Sequence, residues 1–202
     1  MKRMTNALPI FLLLAVSLLM FAGCSSYEYN GTVYDPPMPA AEVTGTNWDG
    51  SEFRMSDLQG KVALVFFGYT SCPDICPLTL ANMTQVYTLL GDKAEDVAVV
   101  FISVDPDRDT PEQLAQYIPA FNNAFYGVYI PEPALDQTKQ DYFVYAEKNY
   151  PKDSQSSLDY LIDHTGWIYA IDRKGDMRLV FEHDAPPDEI AADVEHLLKE
   201  RK

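Results

Sequence analysis

Two uninterrupted apolar runs stand out along the chain, Val62-Ala63-Leu64-Val65-Phe66-Phe67 and Val97-Ala98-Val99-Val100-Phe101-Ile102-Ser103-Val104. Runs without alternation mark strands buried on both faces, as in a sheet with helices on each side. Between them Leu78, Leu80, Ala81, Thr84, Tyr87 and Thr88 fall at helical spacing, with Gly91 as a stop. The stretch 62–104 therefore reads as a βαβ unit. Ahead of it, Asn47-Trp48-Asp49-Gly50 places a turn dipeptide between short apolar segments and predicts a hairpin. Beyond it, Thr110 caps a helix near 111–122, Pro111 takes its first position and Gln113 completes a capping box. A short strand near 126–130, a helix over 135–149 and strands over 158–163 and 167–172 follow. Arg173-Lys174-Gly175-Asp176 then turns the chain into a strand at 177–181. A last helix near 187–200 gathers Ile190, Val194, Leu197 and Leu198 on one face.

The order is hairpin, βαβ, helix, short strand, helix, ββ hairpin, helix. A sheet with parallel strands closed by ββα predicts an α/β, thioredoxin-like fold with an N-terminal hairpin and inserted segments. The domain is expected over 43–202. Residues 1–23 read otherwise: Lys2 and Arg3 precede a nearly wholly apolar run, Ile10 to Gly23, and Phe21-Ala22-Gly23 sets small residues before Cys24. This is the pattern of an export signal. A cysteine directly after it points to lipoprotein processing at Cys24, with residues 24–42 as a proline-containing tether. The domain is then expected outside the cytoplasm, facing the periplasm or cell exterior and anchored to a membrane by lipid. Removal of residues 1–23 takes away Lys2 and Arg3 and no acid, so the formal charge moves from −15 to −17. So acidic a domain is unsuited to nucleic acid or to direct docking on anionic lipid; the charge reads first as solubility, and second as suiting a basic protein partner or a cation.

With lipid on Cys24, the remaining cysteines form a closed pair, Cys72 and Cys76. Two thiols on a strand-to-helix turn can cycle as a disulfide, hold a soft metal, or do both. Pro77 suits the first helical position, which would put Cys76 at the N-cap, where the helix terminus stabilises a thiolate. Three residues separate the pair, one more than in thioredoxin-type enzymes, and this leaves room for an ion. Thiolates are soft ligands that select Cu(I), and a third ligand would also support Cu(II). The chain has three histidines. His183 and His196 read as surface residues, and Met83 as core. His164, in Asp163-His164-Thr165, enters the strand at 167–172 where a thioredoxin-like fold brings a loop beside the cysteine turn. Cys72, Cys76 and His164 are thus the expected metal ligands, with Asp163 behind them in a second layer. The acids of Asp105 to Asp109 read as structural, with Arg108 pairing one of them.

The runs Gly68-Tyr69-Thr70-Ser71-Cys72-Pro73-Asp74-Ile75-Cys76-Pro77, Ser103-Val104-Asp105-Pro106-Asp107-Arg108-Asp109-Thr110-Pro111-Glu112 and Asp163-His164-Thr165 together resemble the SCO/SenC family, over about residues 42–200. The resemblance implies copper held by Cys72, Cys76 and His164. It also implies delivery of that copper to the CuA centre of cytochrome c oxidase. The partners would be the oxidase subunit carrying that centre and an upstream copper donor. The protein would be a binding protein and not an enzyme. The alternative is a membrane-tethered thiol–disulfide oxidoreductase that uses Cys72 and Cys76 to reduce the CuA-site cysteines. A peroxidase related to peroxiredoxins is disfavoured, because Tyr69 stands where that class has a threonine. Segments 125–137 and 150–158 depart from the family's usual pattern without touching the ligands.

Overall fold

The two apolar runs lie side by side at the centre of an eight-stranded sheet in the computed structural model, which describes residues 27–150 and 160–200. The elements are β1 (Thr32–Pro39), β2 (Thr44–Asn47), β3 (Glu52–Arg54), β4 (Val62–Gly68), α1 (Ile75–Leu90), β5 (Val97–Ser103), α2 (Pro111–Tyr117), β6 (Tyr126–Tyr129), α3 (Ala134–Asp141), β7 (Ala146–Asn149), β8 (Leu161–His164), β9 (Ile168–Ile171), β10 (Asp176–Phe181) and α4 (Pro187–Lys199). The sheet order is β1-β10-β9-β4-β5-β6-β2-β3. β4 pairs with β5, and β5 with β6, in parallel, while the other neighbours are antiparallel. Every residue of β4 and β5 is buried, as their unbroken apolar runs require. The α/β, thioredoxin-like architecture is as expected.

The helix after β4 buries Cys76, Thr79, Leu80, Met83, Val86 and Leu90. Leu78 and Leu89, which fall off this stripe, are about half exposed. Thr110 Oγ1 accepts the Gln113 N–H, with Pro111 at the first helical position, so α2 starts as its cap predicts. The helix expected over 135–149 stops at Asp141. Residues 142–147 instead alternate, with Tyr142 and Val144 buried and Phe143, Tyr145 and Glu147 exposed. That period-2 pattern feeds β7, which pairs only with β8 in a separate two-stranded ribbon.

The expected tether also needs correction. Residues 32–39 form β1, an edge strand on β10, and the segment before it docks on α4. Asp193, fully buried in α4, holds it. Its carboxylate accepts the Tyr27 hydroxyl at 2.8 Å, the Asn30 N–H and the Gly31 N–H at 2.9 Å, and Asn30 Nδ2 at 2.9 Å. Tyr27 also stacks on His196, ring to ring at 4.0 Å. The signal over 1–23, Cys24 and the stretch 151–159 lie outside the described residues. Among the described residues, no helix is long and apolar enough to cross a membrane.

Candidate metal centre

β4 ends at Gly68, where a Cβ would lie 2.8 Å from the Phe66 and Phe101 rings and 2.9 Å from Cys76 Sγ. Only glycine lets the strand end this close to the thiol. The following turn is fixed by a distant residue. Asp109, fully buried, accepts the Thr70 N–H at 2.9 Å, Thr70 Oγ1 at 2.5 Å and Ser103 Oγ at 2.7 Å. Desolvation raises the Asp109 pKa above the usual carboxylate value, against the pull of these hydrogen bonds. The Cys72 N–H closes the turn on the Tyr69 carbonyl at 3.2 Å.

The helix begins two residues earlier than the proline predicts. Asp74 is the N-cap and Ile75 the first helical residue, so Cys76 is second and Pro77 third. A proline is tolerated there because the first four N–H groups of a helix have no intrahelical partner. Cys76 therefore lies within the first turn, its side chain fully buried, rather than at the cap.

His164 arrives from the ribbon as the last residue of β8, paired with Ala146 of β7. Its Nε2 is 3.5 Å from Cys76 Sγ, and the ligand atoms of Cys72, Cys76 and His164 all lie within 4.8 Å of one another. Among the described residues, this is the one group of three or more such side chains close enough to share an ion. His164 Nδ1 is 3.0 Å from the Thr165 carbonyl, which can only accept. Nδ1 thus carries the proton and Nε2 turns its lone pair to the thiols, the arrangement a metal-binding imidazole needs. The edges of Tyr69 and Phe66 stand against the imidazole at 5.7 and 6.1 Å between centroids.

Cys72 and Cys76 are unbonded to each other and both are buried. The Cys76 thiol donates to Cys72, and this bond, outweighing desolvation and helped by the backbone N–H groups of Asp74 and Cys76, pulls the Cys72 pKa down to about 3. The same bond, with burial, pushes Cys76 up. The pair is thus one thiolate and one thiol sharing a proton, a set of donors suited to a soft cation.

The other expected residues fall into place around this group. Asp163 lies on the opposite side of β8 from His164. It is exposed, and its carboxylate accepts Asn149 Nδ2 at 3.2 Å, so it does not support the ligands. Strand alternation explains the difference, since adjacent residues face opposite sides. His196 is taken up by Tyr27, Met83 is fully buried, and the His183 carbonyl receives Thr79 Oγ1 at 3.5 Å. Arg108 pairs with Asp105. Gly68, Tyr69, Thr70 and Asp109 were not legible as site residues. Their part depends on contacts across the fold that spacing does not encode.

The chain matches the SCO1/SenC family model over residues 40–199. It is 36% identical to the SCO2-like protein of Rickettsia felis over 143 residues, which are 70% of this chain and 68% of that relative. The chain spans about two thirds of the length of the curated Rickettsia relatives it matches. Among solved structures, Bradyrhizobium japonicum ScoI with copper bound is similar at a TM-score of 0.71 and 36% identity, covering 80% of this chain and 99% of that one. A SCO1/SenC family lipoprotein from Bacillus anthracis is similar at a TM-score of 0.67 and 26% identity, covering 81% of this chain and 98% of that one. With its fold, its paired thiols and a family match over most of its length, this chain belongs to the SCO1/SenC family.

Proposed function

We propose that the protein binds one copper ion through Cys72, Cys76 and His164 and hands it to the CuA centre of cytochrome c oxidase during assembly. The observation that carries this reading is the convergence of two buried sulfurs and an imidazole Nε2 within 4.8 Å. Two sulfur donors favour Cu(I), and the imidazole extends the set to Cu(II). The copper is cargo, received from an upstream donor and passed on, so the protein acts as a binding protein and not as an enzyme. A similar protein, Bradyrhizobium japonicum ScoI, has been solved with copper bound. We place the domain outside the cytoplasm, tethered to a membrane by lipid on Cys24. The apolar run before Cys24 and the similar Bacillus anthracis lipoprotein support that placement.

A second reading, a thiol–disulfide oxidoreductase acting on the CuA-site cysteines, is favoured by the lowered Cys72 pKa. A thiolate is the attacking species in disulfide exchange. Anaerobic titration of the reduced protein with Cu(I) against a competing chelator separates the two. One-to-one binding that weakens at least tenfold in His164→Ala supports the copper reading. Binding indifferent to His164, or none, favours disulfide exchange. Stoichiometric binding retained by the double variant Cys72→Ser, Cys76→Ser would overturn the proposed site.

A further inference from the structure

The two cysteines and the histidine reach the metal centre on different bodies. Cys72 and Cys76 follow β4 of the large sheet, whereas His164 ends the β7–β8 ribbon. Among the described residues, the ribbon pairs with no strand of that sheet. Something must hold the ribbon against the cysteine turn, and the turn from Asp105 to Asp109 touches both.

On one side, Asp109 grips Thr70 of the cysteine turn. On the other, Arg108 reaches the chain just ahead of β8. Its Nη1 donates to the Tyr160 carbonyl at 2.9 Å. Its guanidinium lies 3.7 Å from the centroid of the Tyr160 ring and 5.7 Å from that of Tyr69. Nε is anchored on the fully buried Asp105 carboxylate, whose other oxygen accepts the Tyr160 hydroxyl at 2.7 Å. Two further ties run in parallel. The Ile162 N–H donates to the Tyr69 hydroxyl at 3.2 Å, and Lys148 of β7 donates to Asp107 at 2.5 Å. The Lys148 pair is exposed and screened by solvent, while the Arg108 contacts are mostly buried.

We propose that Arg108 is a positioning residue for the metal centre: it latches the β7–β8 ribbon to the cysteine turn, and so sets His164 within reach of the ion. It touches none of the three ligands. The planar guanidinium is suited to this task because it donates in two directions while a ring stacks on its face. A lysine ammonium is a point charge that cannot do both. The inference rests on the copper reading for its binding test, and on the metal-free protein for its second test.

The binding test is a cycle of Arg108→Gln and His164→Ala, alone and together, in the reduced full chain titrated with Cu(I) against a chelator. If Arg108 acts through His164, Arg108→Gln weakens Cu(I) binding about tenfold when His164 is present. It changes binding less than twofold in the His164→Ala background, and Arg108→Lys restores less than half of the loss. Equal weakening in both backgrounds, or none in either, overturns the proposal. The second test follows backbone hydrogen exchange without metal. The Ile162 and Thr165 amides are expected to exchange at least tenfold faster in Arg108→Gln, while β4 and β5 keep their protection. Acceleration throughout, or nowhere, overturns the latch. Should Arg108→Gln not fold, Tyr160→Phe removes only the hydroxyl bond to Asp105. It is expected to shift ribbon exchange in the same direction, and an unchanged ribbon counts against the latch. A parent protein that binds no copper refutes the proposed function, while the exchange experiment still decides the latch.

Discussion

Gly68 shows how little tolerance the metal centre has at a single residue. A methyl group there meets two rings and the Cys76 sulfur at 2.8–2.9 Å. The rings belong to a packed core that yields poorly to overpacking. Gly68→Ala is expected to destabilise the protein by about 2 kcal/mol and to weaken Cu(I) binding at least tenfold. Chemical denaturation and chelator competition measure the two effects. The shared proton of the thiols makes a second prediction. With its pKa near 3, Cys72 is ionised at pH 5 and alkylated by iodoacetamide there, while Cys76 is held protonated and spared. Cys76→Ala removes the hydrogen bond that chiefly lowers Cys72. The Cys72 pKa then rises, and its alkylation at pH 5, followed by mass spectrometry, should slow at least tenfold. The ligands themselves were legible because thiols and imidazole in a strand–turn–helix context carry their chemistry openly. Asp109 was not, since its tie to Thr70 spans 39 residues and looks in sequence like part of a helix cap.

Among the elements, β1 was hidden and β4 plain, for the same reason. Burial on both faces writes a continuous apolar run, whereas β1 is an edge strand whose residues are mostly exposed, with prolines where no ladder donor is required. Its register on β10 also shifts between Val33 and Met38, which breaks any period. β7 was misread because Leu135, Thr138 and Tyr142 keep helical spacing up to the point where alternation begins. The docking of the segment before β1 depends on one carboxylate. Asp193→Ala removes the buried acceptor that the partly exposed Tyr27, Asn30 and Gly31 donors share, and is expected to cost about 2 kcal/mol. Hydrogen exchange should rise through 27–34 and stay unchanged in β4 and β5. Uniform exchange across the domain would show that Asp193 supports the whole fold and not this segment.

For the molecule as a whole, the βαβ unit and the closing ββα were written in the pattern, so the thioredoxin-like frame was legible. The ribbon between them was not, because its apolar contact is confined to a few residues such as Val144, Ala146 and Ile162, and the rest of its hold comes from Arg108, Tyr69 and Lys148. Cargo that binds only the folded state must stabilise it: free ligand at about a hundred times Kd contributes about 2.7 kcal/mol. For a chain of this size that is about 5–10 °C in melting temperature. The reduced protein with excess Cu(I) should melt that much higher than without it, by calorimetry. The Cys72→Ser, Cys76→Ser variant should show no shift.

The hold of Asp193 and His196 on Tyr27 bears on where the proposed copper cargo can travel. With lipid on Cys24, as proposed, only Ser25 and Ser26 separate the anchor from the docked Tyr27, a leash of three Cα–Cα steps, about 10 Å at full stretch. The domain then rides against the bilayer instead of ranging above it. Its search for a recipient becomes a lateral one within the plane of the membrane, and the copper-accepting site must itself stand close to the lipid surface.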